Sequence, residues 1–254
     1  MKGEGTKYEG TKFEGTKFEV KKFKGTKFEV KKFKGMKFEG MKSEGMKYDI
    51  LIAGVGGQGV VLASRMLALA AMKTGYRVST AETIGMSQRE GSVSSHIRIG
   101  DKIQGSLIPA GQADLLIGLE PAEAVRNLPF LKRDGKIIVN SHAVPPASKP
   151  PGSPEYDPEA LLSFLEAHIP GMLCLDFTQL AEEAGTHRAA NVAMLGAAAG
   201  TGMLPFSREI VLAVLETEIP EKHRAVNRAA FEGAIEKIKI ISGHSDREQT
   251  ENRR

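Results

Sequence analysis

Apolar and polar positions along this chain follow two different rhythms. Over residues 1–47 aromatics recur at every fifth position, at Tyr8, Phe13, Phe18, Phe23, Phe28, Phe33 and Phe38, each behind a lysine. A step of five turns side chains by roughly 140° on a helix and swaps faces on a strand, so neither element gains one apolar face. Repeated glycines weaken both further, and the segment is expected to be a disordered, low-complexity leader. From Tyr48 the texture changes. Residues 49–53 form a short apolar run ending at Gly54, which predicts a buried parallel strand. Residues 60–71 are apolar on most sides and closed by Gly75, which predicts a helix.

The remaining pattern alternates as an α/β domain does. A second strand is predicted at 77–81, with Glu82 after it. Residues 92–99 have period two, with Val93, Ser95, Ile97 and Ile99 on one face, and predict a half-exposed strand on which His96 points outward. A buried strand at 113–119 leads to a helix starting near Pro121, where proline suits the first turn. A strand at 136–140, a proline-rich rigid loop at 145–158, a helix at 159–168 and a strand at 172–176 follow, then mainly helices over 178–241. From Gly243 the chain reads as a frayed polar tail. The expected fold is a Rossmann-like, mostly parallel sheet flanked by helices, with a helical C-terminal part. The expected organisation is a leader at 1–47, one domain at 48–241 and a tail at 242–254.

Charge sharpens this division. The 254 residues carry 35 Lys plus Arg against 31 Asp plus Glu, a net of +4, with a pI near 9.0. Residues 1–47 hold 14 lysines and 7 glutamates, so the other 207 residues carry 21 basic and 24 acidic side chains, a net of −3. The basicity belongs to the leader, and the expected domain has no field for nucleic acid. The near-identity of the pentads, with Met36, Met41 and Met46 among them, suggests a repeated upstream stretch before a start near Met46. The single cysteine, Cys174, cannot supply the thiolates of an iron–sulfur cluster or a structural zinc site. With no long uncharged apolar run and no apolar signal core, a cytoplasmic chain without membrane attachment is expected.

Between the first strand and helix stands Gly54-Val55-Gly56-Gly57-Gln58-Gly59. Glycine there permits a tight turn and close approach of a ligand, and the N–H groups of the helix start can hold a phosphate or carboxylate. A dinucleotide site would also need an acidic residue ending the second strand. Glu82 stands 23 residues beyond Gly59, later than that fingerprint prefers, and reads equally well as a solvated loop residue.

Three motifs in order carry a resemblance: YDILIAGVGGQGV at 48–60, GMSQREGSVSSHIRIG at 85–100 and THRAANVAMLG at 186–196. Together they resemble the gamma-type subunits of 2-oxoacid:ferredoxin oxidoreductases, most closely those of the indolepyruvate branch, over about 48–241. Where the family usually has Gly-Gly after the arginine of the middle motif, this chain has Glu90-Gly91.

The resemblance implies a non-redox subunit working with an alpha subunit. That partner would carry thiamine diphosphate, magnesium and iron–sulfur clusters, while the complex turns aryl pyruvates and CoA into aryl-acetyl-CoA and reduces ferredoxin. No cofactor is expected on this chain alone, and no catalytic residue. The site residues expected to face cofactor or substrate are Gly54, Gly56, Gly57, Gln58 and Gly59, the donors Ser87, Gln88 and Arg89, and Thr186, Arg188 and Asn191. Asn191, polar within an apolar helix, needs partners if buried and could anchor the loop before it. Gamma subunits for pyruvate, 2-oxoglutarate or branched-chain 2-oxoacids are the alternative within the class. A free-standing NAD(P)- or anion-binding module is the alternative outside it.

Overall fold

The computed structural model describes residues 45–85, 91–145 and 155–251, all within one compact unit. Residues 1–44 of the pentad leader and the middle motif's Ser87, Gln88, Arg89 and Glu90 lie outside the described residues, as does most of the proline-rich connection. Six strands are described: β1 Lys47–Val55, β2 Val78–Ile84, β3 Ser92–Gly100, β4 Ala113–Gly118, β5 Leu131–Asn140 and β6 Leu173–Leu175. They form one sheet in the order β2-β3-β1-β4-β5-β6. β1, β4, β5 and β6 run parallel, whereas β3 is antiparallel to both β1 and β2.

Seven α-helices complete the described chain: α1 Val60–Lys73, α2 Pro121–Asn127, α3 Pro158–His168, α4 Phe177–Glu183, α5 Ala190–Gly200, α6 Arg208–Glu218 and α7 Glu221–Glu251. α2 and α3 cover one face of the sheet, where Leu51, Ala53, Leu116, Ile137 and Val139 pack with Ala124 and Leu165. α1 covers the other face; its buried Ser64 receives a 2.6 Å hydrogen bond from Ser95 on β3. α5 is buried from Asn191 to Ala198, as a helix apolar on every side must be. It lies backbone-to-backbone on α7, since a Cβ on Gly196 would stand 2.3 Å from the Phe231 carbonyl oxygen. The small residues of α5 therefore serve helix packing.

Three sequence expectations change. β3 is not half-exposed: both its faces are covered from Ser95 to Gly100. His96 is 3% exposed, accepts the Ile108 N–H at Nδ1 over 3.2 Å and meets the Phe130 ring edge-on. Burial, and then the charge of Arg98, hold its pKa below the ordinary value. The alternation misleads because β3's polar side chains find partners distant in sequence. Arg98 pairs with Asp49, its register partner on β1, while its Nη1 donates to the carbonyls of Gln104 and Leu107. Secondly, Glu82 lies within edge strand β2 opposite Ser95, and β3 separates it from β1. Thirdly, α7 continues past Gly243 to Glu251, where a frayed tail was expected.

Candidate functional site

The sheet order creates a topological switch between its two central parallel strands. From β1 the chain turns towards β2 and β3; from β4 it turns towards β5 and β6. In open α/β sheets such a divergence leaves a crevice at the carboxyl ends of the two strands, where ligands bind. The glycine turn occupies that crevice. β3 starts at the same end, with Ser92 opposite Val55, and Gly85 at the end of β2 donates its N–H to the Ser92 carbonyl over 2.7 Å. Of the two glycines that flank Ser87, Gln88 and Arg89 in the chain, Gly91 thus lies beside the glycine turn, while Gly85 lies on the far side of β3, paired with Ser92.

The turn is braced from three directions. Gly56 donates its N–H to the Gly91 carbonyl (2.9 Å). Gln58 folds back: Oε1 accepts the Val55 N–H (2.9 Å) and Nε2 donates to the Leu119 carbonyl (3.0 Å). Asn191, 3% exposed on α5, donates from Nδ2 to the Gly59 carbonyl over 3.1 Å. Gly59 has φ +80°, and a Cβ there would lie 2.3 Å from Asn191 Nδ2, so both conformation and space demand glycine. Gly57, at φ +95°, is the exposed apex, with nothing within 4 Å of where a Cβ would be. The N–H groups of Gly57 and Gly59 have no partner among the described residues, and the first-turn N–H groups of α1 point the same way. No acidic residue stands in that first turn. The exposed surface here is a set of backbone donors at the positive end of a helix dipole.

This geometry revises several expected roles. The Gln58 amide spends one acceptor and one donor site inside the turn, and the Gly56 N–H is used there as well. Gly54 packs beneath Gln58 instead of facing a ligand. Asn191 anchors the glycine turn, 132 positions away, and not the loop that precedes it; its Oδ1 accepts the Val192 N–H. Thr186 caps a 3₁₀ turn at His187–Ala189 by accepting the Arg188 N–H, and the Arg188 side chain is exposed. Neither Thr186 nor Arg188 makes a hydrogen bond or ion pair to the glycine turn among the described residues.

Sequence reading passed over the other wall of the crevice. Glu120 and Glu123 follow β4 and are 1% and 3% exposed. Glu120 caps α2 by accepting the Glu123 N–H and also receives the Tyr156 hydroxyl. Burial, then that carboxylate, push the Tyr156 phenol upward. Glu123 accepts from Ser92 Oγ over 2.6 Å and pairs with Arg126. The sequence Glu120-Pro121-Ala122-Glu123 carries a capping signal at a helix start, but nothing local announces Ser92 or Tyr156 as partners. Asn140, 1% exposed, closes the floor: Nδ2 reaches Thr178 Oγ1 (2.9 Å) and the Leu119 carbonyl (3.4 Å), while Oδ1 accepts the Phe177 N–H.

Comparison with known proteins places this architecture. The family model for pyruvate ferredoxin/flavodoxin oxidoreductase matches residues 49–237. The indolepyruvate oxidoreductase subunit IorB of Pyrococcus horikoshii is 38% identical over 193 residues, covering 75% of this chain and 96% of that one. The pyruvate/ketoisovalerate oxidoreductases common subunit gamma of Pyrococcus abyssi is 30% identical over 189 residues, covering 72% and 95%. Among solved structures, the keto/oxoacid ferredoxin oxidoreductase gamma subunit of Geobacter sulfurreducens superposes with a TM-score of 0.58 at 26% identity, covering 75% of this chain and 97% of that one.

Proposed function

Because this chain belongs to the pyruvate ferredoxin/flavodoxin oxidoreductase family, as a subunit of an indolepyruvate:ferredoxin oxidoreductase, we propose that its glycine turn holds an anionic group of CoA or the 2-oxoacid at an active site shared with a partner subunit. The observation that carries this reading is the braced turn itself. Gln58, Asn191 and Gly91 fix its backbone from inside and leave the Gly57 apex and the start of α1 as outward donors. A donor set that needs no rearrangement when its ligand arrives binds an anion without an ordering cost. In this reading Arg89, two residues before the Gly91 whose carbonyl accepts from the turn, adds a bidentate donor for a carboxylate.

The redox chemistry belongs to the partner in this reading. Cys174 is the sole cysteine; burial, then Glu166, push its thiol up, away from the thiolate a cluster needs. Among the described residues no group of three or more His, Cys, Asp or Glu could hold a metal ion, and no helix is long and apolar enough to cross a membrane. The donor set thus does not fit a cluster, and the chain's share of the reaction is to bind, orient and exclude water. The complex as a whole joins the acyl group of an aryl pyruvate to CoA, releases carbon dioxide and passes two electrons to ferredoxin. Glu82's place on edge strand β2, two strands from the turn, speaks against the nicotinamide alternative, which requires that carboxylate beside β1.

Arg89→Ala tests the assignment in the complex reassembled with its cluster-bearing subunit. KM for CoA or for indolepyruvate rises on the order of tenfold, the worth of one charge-assisted hydrogen bond, while the melting temperature stays put. Unchanged KM for both substrates would return Arg89 to an ordinary surface role.

A further inference from the structure

The last link of the ladder between β1 and β4 is made by a side chain and not from peptide to peptide. Leu119 donates its N–H to the Ala53 carbonyl over 2.8 Å. In a parallel ladder the next bond runs back from the Val55 N–H to the Leu119 carbonyl. Here both of those groups turn instead to one side chain, with Gln58 Oε1 on the Val55 N–H and Gln58 Nε2 on the Leu119 carbonyl. A primary amide presents an acceptor and a donor in one plane, as a peptide does, so it completes the ladder while standing between the strands.

From this we infer that Gln58 is a positioning residue: its amide is spliced into the sheet between β1 and β4, sets the separation of their carboxyl ends, and so fixes the shape of the turn that receives the anion. The inference rests on the reading of the turn given under Proposed function. Three further observations support it. A Cβ on Gly54 would stand 2.8 Å from Gln58 Oε1, 3.0 Å from Val60 Cγ2 and 3.1 Å from Leu119 Cβ, so glycine at 54 makes room for the splice. Gly57, with φ +95°, supplies the reversal that carries Gln58 back over β1. The Leu119 carbonyl that accepts from Gln58 also accepts from Asn140, so the splice reaches on to the end of β5 and the start of α4. A side chain can occupy this position only where the two strands have begun to part, which is what a crevice requires.

Gln58→Glu and Gln58→Met, each in the assembled complex, separate positioning from mere packing. A carboxylate at 58 still accepts from Val55 but repels the Leu119 carbonyl; once protonated, it donates there and restores the splice. Its enclosure between peptide groups favours the neutral form. Measured against the native complex at the same pH, Gln58→Glu raises KM for CoA or for indolepyruvate about tenfold near pH 8, with kcat within about twofold, and the KM ratio falls back towards one near pH 6. The substrate whose KM moves is the one whose anion the turn holds. Gln58→Met, of similar volume and without hydrogen bonds, raises the same KM at both pH values and speeds hydrogen exchange at the Val55 amide. Native KM together with native Val55 exchange in both variants would overturn the splice. Faster Val55 exchange with both KM values native would leave the splice in place and refute the anion assignment, and with it the positioning role.

Discussion

Arg98→Met should be among the costliest single substitutions outside the hydrophobic core. Arg98 is 5% exposed, and its guanidinium places Nε 3.0 Å and Nη2 3.4 Å from the two oxygens of Asp49, which is itself fully buried. Nη1 donates to the carbonyls of Gln104 at 2.8 Å and Leu107 at 3.2 Å. Removing the cation leaves a buried carboxylate with only Lys47 at 3.2 Å beside it, and strands two loop carbonyls. Breaking such a pair costs about 3–5 kcal/mol, and because the half-exposed Lys47 compensates in part, about 3 kcal/mol is expected. That is a large share of a domain's usual stability. Asp49→Leu alone should cost a similar amount, by burying an unpaired guanidinium. The double variant should lie within about 2 kcal/mol of the native chain, because an apolar pair of similar volume replaces a buried ion pair at little net cost. Equilibrium urea unfolding of all four proteins gives the cycle. Additive losses, or a single-variant loss below about 1 kcal/mol, would show that the pair is not the buried, mutually dependent unit described.

Two further outcomes follow from buried polar groups. His96 is neutral in the fold, and its pKa lies below the ordinary 6.5 because of burial and then Arg98. As pH falls below about 6.5 the unfolded chain takes up a proton that the fold resists, so stability is lost on acidification and is unaffected above that value. His96→Asn should flatten this part of the pH profile of urea midpoints; an unchanged slope would contradict it. Asn191→Ala should cost about 1–3 kcal/mol by leaving the buried side of the Gly59 carbonyl one donor short, and should raise the same KM as the Gln58 variants. A stable variant with native kinetics would remove Asn191 from the account of the turn.

The elements were legible because most of them bury one face or run apolar throughout. The runs at 49–53 and 113–119 became β1 and β4, and Pro121 and Gly75 sit where a helix begins and ends. β5 begins at Leu131, five residues before the expected 136, since Lys132, Arg133 and Asp134 give no apolar signal on its outer end. Sheet order was not legible. Nothing local reveals that β3, the next described element after β2, slips antiparallel between β2 and β1. That insertion buries His96 and Arg98, whose polarity in an alternating run otherwise reads as solvent exposure. At the site the glycines were legible as a turn, but the uses of Gln58 and Asn191 were not: each polar side chain satisfies a backbone group contributed by another element. Residues that read as facing a ligand prove to hold the turn's shape, and the outward donors are main-chain groups with no sequence identity of their own.

In the reading proposed above, this chain contributes an anion-holding, non-redox subunit to a 2-oxoacid:ferredoxin oxidoreductase. It is tested most directly by mixing the purified chain with its cluster-bearing partner and following ferredoxin reduction with indolepyruvate and CoA. Neither component alone should reduce ferredoxin, and the mixture should do so only with both the 2-oxoacid and CoA present. Oxidation of NADH by the chain alone, or full activity of the partner without it, would contradict that role.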